Sequence, residues 1–390
     1  MNKNRYLFLR AVHFVSGLVP SFLSLFFPRD KKTIIFNSQF NTTFEHNSRA
    51  LFLHFLASES NGIAKFVIND SEKRRALREK YGDHFITNDR FKDIIMIMRS
   101  GLWVCSSLET PLSGFGLSFR RTVIHLGHGA PIKSVGLGEK YVSLVKSIYY
   151  RLIRTNFSYL MSSSAAFDSA WAKCLHLPSS HIVRCPQARC DQVVSPDRHL
   201  VSLILDKSSH NVLYAPTWRP FSDTQIFPFD DFNLDTLCDG LEKKGVTLFL
   251  RLHPNFEFEL DEKLLKCERI KLLSSQDISD INPVLGGFDL VITDYSSIYI
   301  DFLLTEKPVM FLPYDYNEYE STIGFSIDYE KLTPGPKPNS LVAFLSELET
   351  LLTDSDYYLS CRKNANKVLN PIMRDHAKHT LNVVKTLAKR

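Results

Sequence analysis

Ten short apolar runs, separated by longer amphipathic stretches, limit what this chain can fold into more than any other feature. In the first half they read TIIFNS (33–38), AKFVIND (64–70), LWVCSS (102–107), RTVIHLG (121–127) and FSYLMSS (157–163). In the second half they read NVLYAPTW (211–218), VTLFLRLHP (246–254), IKLLSS (270–275), LVITDYSS (290–297) and PVMFLPY (308–314). Short runs bounded by turn residues suit strands buried on both faces. The stretches between them, such as 47–58, 71–81 and 235–244, carry helical spacing. Strands alternating with helices predict parallel sheets of the α/β class. Two such series, broken near CPQARCDQVVSPDRH (185–199), predict two Rossmann-like domains. Residues 371–390 read as a closing helix with a basic face.

A length of 390 residues suffices for two domains of ordinary size. The net charge of +5 is too weak to argue for nucleic acid, but it suits an anionic substrate or an anionic membrane surface. The seven cysteines occur singly, with no C-x-x-C pair, so neither a disulfide framework nor a zinc site is expected. The N-terminal stretch RYLFLRAVHFVSGLVPSFLSLFFPRDKK is apolar and aromatic with cations at both ends. Its uncharged run, Ala11 to Pro28, lies at the lower edge of what spans a bilayer and includes His13, Gly17 and Pro20. With no small-residue cleavage site, an interfacial helix is the expectation, with phenylalanines in the acyl boundary and cations at the headgroups.

Ligands of open α/β sheets sit outside the carboxyl ends of the strands. Polar residues cluster at four such ends. In HLGHGAPIK, His128 precedes Gly129, where backbone can approach a ligand, then Pro131, which fixes the turn, and the cation Lys133. An imidazole there can take a proton from an attacking hydroxyl. His125 lies earlier in the strand and reads as structural. YAPTWRP ends on Arg219, suited to bidentate phosphate contact. RLHP puts Arg251 and His253 on one face of a strand end; His253 reads as acid, phosphate ligand or structural histidine. DLVITDYSSIYIDFLL carries Thr293 and Asp294 at a strand end. Ser296 and Ser297 follow as helix caps, where free N–H groups suit phosphate. Asp301 is placed two turns on to accept from ribose hydroxyls. No Walker loop, GxGxxG, Gly-x-Ser-x-Gly or metal-ligand spacing occurs.

Taken together, these runs resemble the CDP-glycerol glycerophosphotransferase family of teichoic-acid primases, polymerases and related capsule polymerases. The family pattern W-H-G-T-P-L-K stands here as Gly127-His128-Gly129-Ala130-Pro131-Ile132-Lys133. Y-A-P-T-W-R is matched at 214–219, R-x-H at 251–253, and T-D-Y-S-S with its later aspartate at 293–297 and Asp301. NSRA (47–50) is similar to the family's Asn-Pro-Arg stretch, and 308–336 to its ending. Ala130 departs from the family threonine, and CPQARCD (185–191) keeps only Arg189 and Asp191 of G-x-P-R-x-D.

The resemblance implies a GT-B-like fold, two Rossmann-like domains facing a cleft, with an N-terminal membrane-associated helix. The expected division is 1–32 membrane-associating, 33–188 acceptor domain, 189–370 CDP-donor domain and 371–390 closing helix. It implies a peripheral enzyme on the cytoplasmic face of the cell membrane, with no resident metal or cofactor. The expected partners are CDP-glycerol or CDP-ribitol and a lipid-linked saccharide or polymer acceptor; self-association is compatible with the family. His128 is the expected base. His253, Arg251, Arg219, Ser296 and Ser297 are expected on the diphosphate, Thr293 and Asp294 beside them, and Asp301 on ribose. Gly129, Pro131 and Lys133 are expected to form the acceptor loop. Two other readings stay open: a glycosyltransferase using a nucleotide sugar, and a non-catalytic nucleotide-binding protein at the membrane.

Overall fold

The structure is a computed structural model and describes residues 12, 15–58, 62–219, 224–252 and 262–389. It divides into two compact units. One comprises the chain up to Arg189 together with the segment from Asp375; the other runs from Cys190 to Arg374.

The first unit is built on seven strands: β1 (Asp30–Asn37), β2 (Ile63–Val67), β3 (Phe85–Ile86), β4 (Ser100–Cys105), β5 (Thr122–His125), β6 (Tyr159–Ser162) and β7 (Ile182–Arg184). Their order is β3-β2-β1-β4-β5-β6-β7 and every pair is parallel. The order reverses between β1 and β4, so the carboxyl ends at Asn37 and Cys105 flank a topological switch point. The runs are apolar because both faces are covered. Phe36, Phe66 and Phe85 of the sheet pack edge to face with Phe44 and Phe52 at centroid distances of 4.9–5.9 Å. Helices follow local signals. Asp70 caps Ser71–Tyr81 by accepting from Lys73 N at 2.9 Å, and Gly82, at φ +86°, ends it in a conformation that other residues rarely adopt. The terminal helix His376–Ala388 places Ala377, Leu381, Val384 and Leu387 in the core of this unit.

At the amino-terminal end, helix α1 (Leu18–Ser24) shows amphipathicity of the reverse kind. Its small, polar positions face the protein. Ser21 Oγ accepts from Phe115 N at 2.8 Å, and Ser24 Oγ accepts from Arg29 at 3.1 Å. Leu18, Val19, Phe22 and Leu23, followed by Phe26, are exposed. Among the described residues no helix is long and apolar enough to cross a membrane. Residues 1–11, 13 and 14 of the predicted interfacial segment lie outside the described residues.

The second unit carries β8 (His210–Ala215), β9 (Val246–Leu250), β10 (Ile270–Leu272), β11 (Leu290–Thr293) and β12 (Val309–Phe311). They form one parallel sheet ordered β10-β9-β8-β11-β12. Its switch point lies between β8 and β11. There Thr293 Oγ1 donates to Ala215 O at 2.6 Å, tying the two strand ends together. Each run read as a strand overlaps an observed one; β3 and β7, of two and three residues, are additions.

Candidate active site

In the first unit, β5 ends at His125 and the chain turns through Gly127, at φ +72°. A side chain at Gly127 would be strained by that φ and would press on Trp171 at 3.2 Å. The turn delivers His128 over the end of β4. Its Nδ1 lies 3.1 Å from Ser106 O, so this nitrogen carries the proton and donates it. Nε2 is then the lone-pair nitrogen. Ser106 is itself fixed, its Oγ accepting from Ser48 N at 2.7 Å at the start of helix α2 (His46–Ser58). Asn47, on the same helix, links the β5 turn to the segment at Arg189. It donates to Gly127 O at 2.9 Å and accepts from Arg189 N at 3.2 Å.

The His128 ring keeps a solvent-exposed side, yet its pKa lies below the ordinary histidine value. Desolvation by the surrounding protein is the main cause. The Ser106 hydrogen bond opposes it, Arg189's charge adds to it, and Glu109 opposes it. A neutral imidazole near pH 7, held by one nitrogen and open at the other, has the state and orientation of a general base. Gly129 and Lys133 are half-buried beside it, and Pro131 is buried.

A second imidazole stands alongside. The ring of His46 lies 5.6 Å from that of His128, and its Nε2 is 4.0 Å from Glu45 Oε2. His46 has φ +63°, a left-handed conformation costing a non-glycine residue about 1–3 kcal/mol. Sequence reasoning stopped one residue short of it, at NSRA; its positive φ has no signature in the residue types.

His125 is structural. It is buried against Phe157 and Trp171, and its Nδ1 accepts from Gly127 N at 3.1 Å. Desolvation, with His128's charge next, lowers its pKa to about 3. Between that value and the unfolded value of about 6.5 the unfolded chain binds the extra proton, so stability falls as pH falls. This one group is expected to contribute a slope of up to about 1.4 kcal/mol per pH unit across that window. Denaturant unfolding from pH 7 to 4 measures it. His125→Asn, whose Oδ1 can still accept from Gly127, should show the shallower slope.

In the second unit the strand ends meet around Arg219. Its Nε and Nη2 donate to Asp315 Oδ2 and Oδ1 at 2.7 and 2.8 Å, and Nη1 donates to Asp294 Oδ2 at 2.7 Å. Nη1 also donates to Thr217 O. Tyr295, Tyr314 and Tyr319 surround the guanidinium at 4.8–5.3 Å. Burial alone would lower the Arg219 pKa, but the hydrogen bonds to Asp315 and the charge of Asp294 reverse this and raise it. Asp294 Oδ1 further accepts from Thr217 N and Tyr295 N at 2.8 and 2.5 Å.

Arg219 and Asp294 are thus turned toward each other at the strand ends. Their side chains are 0% and 2% exposed and bind each other. Thr293 is likewise spent on Ala215. Arg251 donates to the carbonyls of Leu273, Ser274 and Ser279, so it ties down the loop after β10. Asp301 is buried, with Cys190 Sγ donating to its Oδ1 at 3.6 Å.

Ser296 and Ser297 remain half-exposed at the carboxyl end of β11. Ser296 Oγ accepts from Ile298 N at 3.4 Å, and Ser297 occupies the cap position of Ile298–Phe302 without a side-chain cap bond. His253 lies outside the described residues. Among the described residues no group of three or more His, Cys, Asp or Glu could hold a metal ion.

Comparison with known proteins agrees with this arrangement of strands. The Staphylococcus aureus teichoic acid glycerol-phosphate transferase is 24% identical over 355 residues, covering 85% of this chain and 87% of that protein. The Bacillus subtilis teichoic acid poly(glycerol phosphate) polymerase is 24% identical over 378 residues, covering 89% of this chain. The chain spans about half of that polymerase, 49% of its length. A structure of the wall teichoic acid polymerase TagF superposes with a TM-score of 0.76 at 19% identity, covering 98% of this chain and 97% of that one. This shows the fold, with its parallel α/β units, to be GT-B-like. The family model described as CDP-glycerol:poly(glycerophosphate) glycerophosphotransferase matches residues 20–389, so the chain, a transferase, belongs to that family.

Proposed function

We propose that the protein transfers an alditol phosphate, glycerol phosphate or ribitol phosphate, from a CDP-alditol to a hydroxyl of a lipid-linked or polymeric saccharide acceptor. His128 Nε2 takes the hydroxyl proton. The acceptor oxygen attacks the phosphorus that bears the alditol, the bond from that phosphorus to the bridging oxygen breaks, and CMP leaves. The observation that carries this reading is the His128 constellation: an imidazole neutral at pH 7, with Nδ1 pinned to Ser106 O and Nε2 open. Phosphoryl-type transfer is mostly positioning and charge stabilisation, which fits a site whose remaining parts are cations, hydroxyls and ordered backbone.

In this reading the first unit binds the acceptor, with Gly129, Pro131 and Lys133 shaping the loop, and the second binds the donor. Ser296 and Ser297 hold the diphosphate. His253 protonates the leaving CMP. Arg219, Asp294 and Asp315 act from below as the frame that holds the β8 and β11 ends in place. The enzyme works as a peripheral protein on the cytoplasmic face of the membrane. The apolar outer face of α1 supports this, because a helix that turns serines inward and phenylalanine outward needs an apolar neighbour.

The test is CMP release with CDP-glycerol, CDP-ribitol and UDP-sugars in parallel, with a lipid-linked saccharide supplied. Release from one CDP-alditol is expected. Turnover of a UDP-sugar alone would replace this reading with sugar transfer.

A further inference from the structure

A groove of about 1000 Å³ opens on the first unit at the amino ends of β6 and β7, the opposite end of the sheet from His128. Two cations, Arg154 and Lys173, line it beside two imidazoles, His176 and His181. Asp168 is the one carboxylate in the lining, and it is paired with Arg184 at 3.0 Å. Arg154 uses Nη1 on His176 O at 2.9 Å, and His181 uses Nδ1 on Ser158 O at 2.9 Å. Phe157 and Leu177 add apolar surface. The lining is therefore cationic with an apolar component, the chemistry that receives an amphiphilic anion.

What flanks the groove narrows the choice. The loop 113–119 forms one side, with Ser118 Oγ donating to Thr155 O at 2.7 Å and Gly116 N donating to Thr155 Oγ1 at 2.8 Å. The same loop holds α1 through Phe115 N and Ser21 Oγ, and its Phe119 is 54% exposed. Helix Leu144–Ile153 runs directly into Arg154. It exposes Leu144, Val145 and Ile148, an apolar stripe at helical spacing. Two outward-facing apolar helices thus connect to one cationic groove.

We propose that this groove binds the phosphate headgroup of an anionic membrane lipid, while α1 and Leu144–Ile153 enter the acyl boundary on either side. The membrane contact is then a composite surface with lipid selectivity, not a single anchoring helix. This rests on the peripheral reading of α1 but is separable from it and from the transfer reaction. A free phosphodiester, such as a soluble glycerol phosphate oligomer, presents the same anion without the acyl chains.

The test is co-sedimentation of the full chain with vesicles of phosphatidylcholine alone and of phosphatidylcholine mixed with phosphatidylglycerol. Wild type should prefer the anionic vesicles. Lys173→Gln should weaken that binding about fivefold, and Lys173→Gln with Arg154→Gln further, as expected for cations near a charged surface. Lys207→Gln, on the second unit, should leave it unchanged, and CMP release with a water-soluble acceptor should stay near wild type in all three. Because Arg154 also holds His176, Lys173→Gln alone decides the matter. Equal loss with Lys207→Gln would show diffuse attraction and overturn the site. So would equal binding to both vesicle types, or displacement by the soluble oligomer with no vesicle preference. Failure of wild type to bind any vesicle would overturn the membrane reading itself and leave the transfer reaction untouched.

Discussion

His128→Ala is expected to lower CMP release from the CDP-alditol by more than about 100-fold, the scale of a lost acid–base group. The fold should survive, because the side chain is partly exposed and its hydrogen bond to Ser106 O is to a strand-end carbonyl. His128→Gln keeps a donor for that carbonyl without a basic nitrogen, and should be nearly as slow. The pH profile adds an independent sign. Because the His128 pKa is lowered, wild-type turnover should hold down to pH values below that of a free histidine before its acid limb falls. Near-normal turnover of His128→Ala with an intact fold would remove the base from this site.

Asp315→Ala is expected to produce the largest loss of stability, about 3–5 kcal/mol, the range for removing one partner of a buried ion pair. The substitution strips two charge-assisted bonds from Arg219 and the acceptor of the Tyr295 hydroxyl, 3.0 Å away. It leaves the guanidinium inside a cage of three tyrosines with only Asp294 to balance it. Denaturant unfolding measures the loss. The double variant Arg219→Leu with Asp315→Leu should recover part of it, since an apolar replacement removes the stranded charge. Asp315→Ala unfolding like wild type would mean that this network does not hold the strand ends.

Both substitutions bear on what the chain discloses before it is folded. The strands are legible because burial on both faces keeps the runs mainly apolar, as in β9, whose five residues, Thr247 among them, are all buried. β3 and β7 escape because two or three residues at a sheet edge carry no period. His128 is legible because glycine, proline and lysine around an imidazole leave few structural uses. Arg219 is ambiguous in the sequence for a physical reason. A guanidinium matches a carboxylate fork as well as a phosphate, and only the fold brings Asp315, on the loop after β12, within 2.7 Å. Asp301 is ambiguous similarly, since two turns along a helix set its height but not whether its carboxylate meets solvent or Cys190. The helix at Ile298–Phe302 is also too short for that spacing to apply in full. His46 is silent in the sequence because its place beside His128 depends on a left-handed backbone that most residues avoid.

In the proposed reaction a phosphoryl-linked alditol, not a sugar, is moved. Phosphorus-31 NMR of the acceptor after reaction with CDP-glycerol, with CMP measured in the same sample, tests it most directly. One new phosphodiester on the acceptor for each CMP released is the predicted result. CMP without a new phosphodiester, or a new glycosidic linkage in its place, would contradict it.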